Sequence, residues 1–284
     1  MLERFTRLPS ALQAAARWQR LGVSNIPAMI VHPDWDSAEA VANPSGGPST
    51  GTSEGPSGGA PVVIWMHGRT ARKEIDPGRP LRLLRTGIGF CAVDLPGHGE
   101  RYDGALQHPS HSLDLILQMI DEIDEIIDAL REMGLFDPHR MAIGGMSAGG
   151  MATLARLCHE HPFRCASVEA ATGSWSHQRH REMFRDRTGE AIAHHNPLAN
   201  LPGWREIPLQ AFHSRGDEWV DFEGQRIFLD ALRARYRDRD LIEFIIYEDT
   251  GAPYEHAGFG KHAADAKQRQ REFFARHLLP DGAG

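Results

Sequence analysis

Short apolar runs separated by stretches of helical periodicity dominate this chain, and that alternation constrains its fold more than any other feature. From residue 61 onward the runs are 61–67 (PVVIWMH), 90–96 (FCAVDLP), 141–147 (MAIGGMS), 165–170 (CASVEA), 208–214 (PLQAFHS) and 241–247 (LIEFIIY). The last two are continuous in hydrophobicity, as strands covered on both faces should be. Strands that alternate with helices imply a parallel sheet. An earlier run at 26–33 (IPAMIVHP) reads as a further strand. The expected fold is α/β, with a mostly parallel central sheet of at least six strands and helices on both of its faces.

The clearest helix spans about 112–133, where Leu113, Ile116, Leu117, Ile120, Ile123, Ile127 and Leu130 recur at spacings of three and four before a Gly134 stop. Asp121, Glu122, Asp124, Glu125 and Asp128 then form its solvated face. Further helices are expected over about 148–159, 222–236 and 263–279. Near the N-terminus, Leu8, Leu12, Ala16 and Leu21 fall at approximately helical spacing, which reads as one short amphipathic helix over the first 20 residues. Residues 43–61 are built almost wholly from Gly, Ser, Pro and Thr and read as a flexible surface loop. What precedes that loop is too short to hold its own core, so residues 1–284 form one domain. The 36 residues at 172–207 exceed what a crossover helix needs, and they read as a small cap within the domain, with a partly polar roof supplied by four histidines and several arginines.

Composition excludes other classes. With 41% hydrophobic and 24% charged residues, the chain has the profile of a globular protein able to bury a core. Thirty-one basic against 38 acidic residues give a formal charge of −7, and no basic stripe with interleaved aromatics appears, so nucleic acid is not an expected partner. No apolar stretch approaches the roughly 20 residues of a membrane-spanning helix, and no secretory leader is evident, so the expected address is cytoplasmic, with no membrane partner. Cys91, Cys158 and Cys165 sit in apolar surroundings without metal-like spacing and read as reduced, buried thiols. The basic residues include only three lysines, Lys73, Lys261 and Lys267, a bias read as compositional.

The chemistry concentrates at Gly145-Met146-Ser147-Ala148-Gly149, a G-x-S-x-G with an apolar strand running in and a helical pattern running out. A tight strand-to-helix turn holds such a serine in strained backbone geometry, where only small neighbours avoid collision, and presents its hydroxyl above the sheet. A serine hydroxyl attacks only with the help of a base and a group that orients the base. Reactive groups collect at the carboxyl ends of parallel strands. The loop after 208–214 carries Asp217 and the loop after 241–247 carries His256, so Ser147, Asp217 and His256 are the expected nucleophile, acid and base. His262 and His213 compete for the base, and Asp221, Glu218 and Glu169 for the acid. The H-x-x-H at His177 and His180 and the pair His194-His195 could hold a metal ion, but neither has the helical setting or the third ligand of a zinc site. No cofactor or metal is expected.

With these residues in place, the chain resembles the α/β-hydrolase superfamily over nearly all of its length, specifically the dienelactone-hydrolase-like and prolyl-oligopeptidase-like serine esterases. WMHGRTARKE at 65–74 is similar to that family's His-Gly oxyanion segment, AVDLPGHGER at 92–101 to its Asp-x-Pro-Gly-His-Gly loop, and HSRGDEWVD at 213–221 to its acid-bearing segment. The resemblance implies that the backbone amides of Ala148 and Arg69 hold an oxyanion. His67, His98 and Gly99 read as structural residues that organise loop hydrogen bonds around the pocket rather than transfer protons. The chain departs from dienelactone hydrolases in carrying serine where they carry cysteine, and it lacks the length for the propeller of prolyl oligopeptidases. The expected activity is hydrolysis of a small carboxylic ester through an acyl-enzyme. A peptidase or amidase of the same fold and a non-catalytic binding protein are the alternatives. The acyl and alcohol parts of the substrate and the oligomeric state are not legible at this stage.

Overall fold

A computed structural model describes residues 8–36 and 59–280, apart from 186 and 188. Eight strands form one sheet in the order β1-β2-β4-β3-β5-β6-β7-β8. They are β1 (Ala16–Leu21), β2 (Ile26–Val31), β3 (Ala60–Met66), β4 (Gly89–Val93), β5 (Phe136–Met146), β6 (Cys165–Glu169), β7 (Leu209–Ser214) and β8 (Ile242–Tyr247). β1 and β2 run antiparallel, as do β2 and β4, and every pairing from β4 through β8 is parallel. The mostly parallel α/β sheet read from the sequence is the observed one.

The helices, numbered in chain order, are α1 (Ser10–Ala15), α2 (Gly78–Leu84), α3 (Ser112–Glu132), α4 (Ala148–Arg156), α5 (Glu182–Arg185), α6 (Gly189–His195), α7 (Phe222–Arg233) and α8 (Ala263–Leu278). β3 shows how two helix layers are served by one strand, because successive side chains point to opposite faces. Val62, Ile64 and Met66 join the core beneath α3, α4 and α7, whereas Val63 and Trp65 join the core beneath α1, α2 and α8. Within the segment at 172–207, Trp175, Phe184, Ile192, Leu201 and Trp204 enter the first of these cores, so that segment is anchored to the main body.

Three expectations are corrected. The first 20 residues are not a single helix: α1 ends at Ala15, and β1 pairs residue for residue with β2 from Ala16↔Val31 to Leu21↔Ile26. Leu8, Leu12, Ala16 and Leu21 are all buried, so their spacing of four and five residues marks core contacts shared between a short helix and an edge strand. β5 begins at Phe136 and not near 141, because Ala60 pairs with Phe136 across an irregular register before the regular ladder resumes at Met141. The polar Asp137-Pro138-His139-Arg140 in that stretch disguises it as a loop. Finally, Glu122 is not on a solvated face: it is buried and pairs with Arg101 through contacts of 2.9 and 2.6 Å. Of the Gly/Ser/Pro-rich stretch at 43–61, residues 43–58 lie outside the described residues, and Ala60 and Pro61 already belong to β3. No helix among the described residues is long and apolar enough to cross a membrane.

Candidate active site

At the carboxyl end of β5 the backbone turns through Ser147 at φ 52° and ψ −115°, a left-handed conformation costly for any residue with a Cβ. Two hydrogen bonds of 2.8 Å hold it there: Ser147 N donates to Glu169 O, extending the β5–β6 ladder, and Met151 N donates to Ser147 O, opening α4. The flanking glycines are steric necessities. A Cβ on Gly145 would sit 2.5 Å from the carbonyl carbon of Gly149, and one on Gly149 would sit 2.4 Å from Met66 O. Close approach of β3, β5 and α4 is thus what makes the turn, and the turn aims Ser147 into a cavity of about 950 Å³.

His256 borders the same cavity from the loop after β8. Its Nδ1 lies 2.9 and 2.8 Å from the two carboxylate oxygens of Asp217, which sits in the loop after β7. Asp217 Oδ1 also accepts from Trp219 N at 2.9 Å and Val220 N at 2.8 Å, which fixes the plane of the buried carboxylate. Burial opposes its ionisation, but the hydrogen bond and charge of His256 outweigh that effect and hold the carboxyl below the usual carboxylate range. Because Nδ1 donates to Asp217, the neutral His256 ring presents Nε2 as an acceptor. Glu218 steadies the loop by accepting from Glu255 N and His256 N at 3.1 and 3.3 Å, and Trp219 packs on the imidazole at 4.9 Å between centroids. Ser147 Oγ makes no hydrogen bond among the described residues, which leaves the hydroxyl unengaged at the cavity wall.

The competing candidates have other partners. His213 is buried behind the acid, 3.4 Å from Asp217 Oδ2 and 3.0 Å from Val220 O, and burial pushes its pKa down. His262 stacks on Tyr247 at the start of α8, with its Nε2 3.1 Å from Asp249 O. Asp221 caps α7 by accepting from Glu223 N at 2.8 Å. Glu169 is buried in an ion pair with Arg79 at 2.7 Å. His177 Nδ1 lies 2.7 Å from Ser174 Oγ, His194 and His195 contact each other at 3.1 Å, and the described residues contain no group of three or more potential metal ligands.

Opposite His256, the loop after β3 brings Gly68 against the serine: a Cβ on Gly68 would meet Ser147 Cβ at 3.3 Å. The amides of Arg69 and Ala148, both on the cavity wall, are used in no turn, loop or cap hydrogen bond among the described residues. His67 shapes this loop. Its Nε2 accepts from Leu95 N at 3.0 Å, so Nδ1 carries the proton and donates to Gly68 O at 2.7 Å. Burial lowers its pKa to about 4, which keeps the ring neutral.

Sequence reasoning missed Lys73, which lies beneath the loop. Its ammonium reaches Asp94 at 2.7 Å, Glu100 at 2.7 Å and Glu74 at 3.3 Å, with no side-chain exposure. Burial opposes its charge, but Asp94 and the other acids overcome that and raise its pKa. A compact ammonium can serve three convergent acceptors where a planar guanidinium cannot, so a lysine kept among so many arginines was the available signal. Arg101 completes the scaffold by donating to Asp94 O while pairing with Glu122 of α3.

Comparison with known proteins identifies the family of the chain. The family model described as "Prolyl oligopeptidase family" matches residues 82–280. The Putative esterase YitV of Bacillus subtilis (strain 168) is 31% identical over 208 residues, covering 65% of this chain and 80% of its own. Esterase YjfP of Escherichia coli (strain K12) is 25% identical over 195 residues, covering 64% and 78% respectively. Among solved structures, a Mycobacterium tuberculosis puromycin-hydrolyzing peptidase superposes with a TM-score of 0.70 at 19% identity, over 96% of this chain and 41% of that one. TT1662 from Thermus thermophilus superposes with a TM-score of 0.64 at 17% identity, over 93% of this chain and 99% of its own. The chain spans less than half the length of that peptidase but most of the length of the two esterases. With the family model matched over more than half of its residues, the chain belongs to the prolyl oligopeptidase family and is a serine hydrolase of the α/β-hydrolase superfamily.

Proposed function

We propose that the protein hydrolyses a small carboxylic ester through Ser147, His256 and Asp217. The observation that carries this reading is a buried, two-point Asp217–His256 hydrogen bond facing the same cavity as an unengaged serine on a strained turn. Ser147 Oγ attacks the ester carbonyl and passes its proton to His256 Nε2, while Asp217 fixes the ring and stabilises the imidazolium. The Arg69 and Ala148 amides receive the charge that develops on the carbonyl oxygen. His256 then protonates the departing alcohol, and water, deprotonated by the same nitrogen, releases the acid from the acyl-serine. No step needs a cofactor.

The segment at 172–207 contributes His180, Arg181, Glu182 and Met183 to the cavity wall, and we read it as a small cap that shapes substrate choice. Sequence similarity over about two thirds of this chain to proteins named as esterases favours an ester over a peptide. Hydrolysis of 4-nitrophenyl esters from acetate to decanoate, run beside the matching 4-nitroanilides, tests the assignment. Turnover of short esters that Ser147→Ala abolishes supports it. Faster cleavage of the anilides assigns a peptidase or amidase, and equal inertness of wild type and variant toward both series favours a binding protein.

A further inference from the structure

The cavity wall carries more positive charge than its acids neutralise. Arg79 is matched there by Glu169 at 2.7 Å and Asp76 at 3.4 Å, and Lys267 by Asp76 at 3.5 Å. Glu182 lies 3.8 Å from His108. Arg69 and Arg181 also line the cavity, and among the described residues neither forms an ion pair with a carboxylate. Each is anchored by one bond to a backbone carbonyl, Arg69 Nη2 to Gln107 O and Arg181 Nη2 to Glu218 O. In both, Nε is buried without a hydrogen-bond partner. Burial lowers the Arg69 pKa, with no acid to offset it. A partly buried guanidinium without a counter-charge is costly unless something anionic neutralises it. Two such groups, each pinned by a carbonyl, border one cavity from the loop after β3 and from the segment between β6 and β7, and give its wall unneutralised positive charge that an anionic ligand would match.

The geometry points to a substrate that bears a carboxylate in addition to its scissile ester, with Arg69 and Arg181 as its specificity-determining residues. This rests on the ester-hydrolase reading above and deepens it. Planar guanidinium forks match carboxylate oxygens in spacing and direction. Ile116, Met151 and Met183 give the same cavity an apolar stretch of wall suited to the hydrocarbon that separates the two groups.

Two matched pairs of esters test the assignment. Mono-4-nitrophenyl adipate against 4-nitrophenyl hexanoate places the charge on the acyl side. 4-Carboxyphenyl against 4-carbamoylphenyl hexanoate places it on the leaving group. One pair should show a charged-to-neutral ratio of kcat/KM of at least about tenfold, and Arg181→Met should lower that ratio about tenfold or more, with partial recovery in Arg181→Lys. Arg69→Met should lower it likewise. Ratios near one in both pairs, or ratios that Arg181→Met leaves unchanged, overturn the inference. Calorimetric binding of adipate to Ser147→Ala separates it from the reaction itself. Saturable binding that Arg181→Met weakens about tenfold supports the anion site even if no ester is turned over. Absence of binding, or preference for inorganic phosphate, overturns the carboxylate assignment.

Discussion

Asp217→Asn changes the active site in a way the hydrogen-bond geometry determines. Asp217 Oδ1 accepts from both Trp219 N and Val220 N, so the asparagine oxygen must take that position to avoid two orphaned amides. Its NH2 then occupies the Oδ2 position, 2.8 Å from His256 Nδ1. That NH2 opposes the Nδ1 proton, and the one remaining acceptor, 2.9 Å from Nδ1, already serves Trp219 N and Val220 N, so the balance shifts to the tautomer protonated on Nε2. That nitrogen then has no lone pair for the Ser147 proton. Loss of the acceptor and of the counter-charge together should lower kcat by roughly 10⁴, about 5.5 kcal/mol of transition-state stabilisation, with KM little changed. Nearly isosteric replacement should leave the fold intact, which a near-unchanged circular dichroism spectrum checks. Steady-state rates on 4-nitrophenyl butyrate at neutral pH measure the effect. A variant with kcat within tenfold of wild type would show that Asp217 does not govern the tautomer of His256 and would refute the assignment.

Four further outcomes follow from the same interactions. His67 and His161 are each pushed by burial to a pKa of about 4, below the ordinary 6.5, so the unfolded chain binds more protons between those values. Stability should be intact above about pH 6.5 and fall as pH drops toward 4, by up to about 3 kcal/mol for His67 alone; urea midpoints that stay flat from pH 7 to 4.5 would contradict this. Lys73→Met strips the cation from buried Asp94 and should cost roughly 3–5 kcal/mol, read as a fall in the urea midpoint, and an unchanged midpoint would show that the loop scaffold stands without it. Gly149→Ala drives a Cβ against Met66 O and should cost about 1–3 kcal/mol, with activity lost by more than the stability change explains; a fully active, equally stable variant would remove the steric account of the turn. Glu169→Gln, far less critical to the proton path than Asp217→Asn, should retain ester hydrolysis to within about tenfold, because it serves Arg79 and not His256.

The sheet and the positions of its reactive loops were legible because they depend on local, repetitive signals. Apolar strands and periodic helices recur in order, and the parallel topology carries Ser147, Asp217 and His256 to one edge although the last two are 39 residues apart. Other features depend on contacts that no local window contains. The edge strand β1 is made by its pairing with β2, and in isolation its residues fit a helix as well. β5 begins early because Ala60 finds Phe136, not because the intervening polar residues favour a strand. The Lys73–Asp94–Glu100 cluster joins two motifs that were each recognised separately, and the Arg101–Glu122 pair ties one of them to the face of α3 that charge patterning assigned to water. The unmatched charge of Arg69 and Arg181 appears only once the segment between β6 and β7 is laid against the loop after β3.

An activated serine is the central claim, and a fluorophosphonate probe reads it without knowledge of the natural substrate. After labelling of the folded protein at neutral pH, proteolysis and mass spectrometry should place the adduct on Ser147 alone. Ser147→Ala should not label, and Asp217→Asn should label far more slowly than wild type. Adduct formation on another residue, or a wild-type protein as inert as Ser147→Ala, would contradict the account.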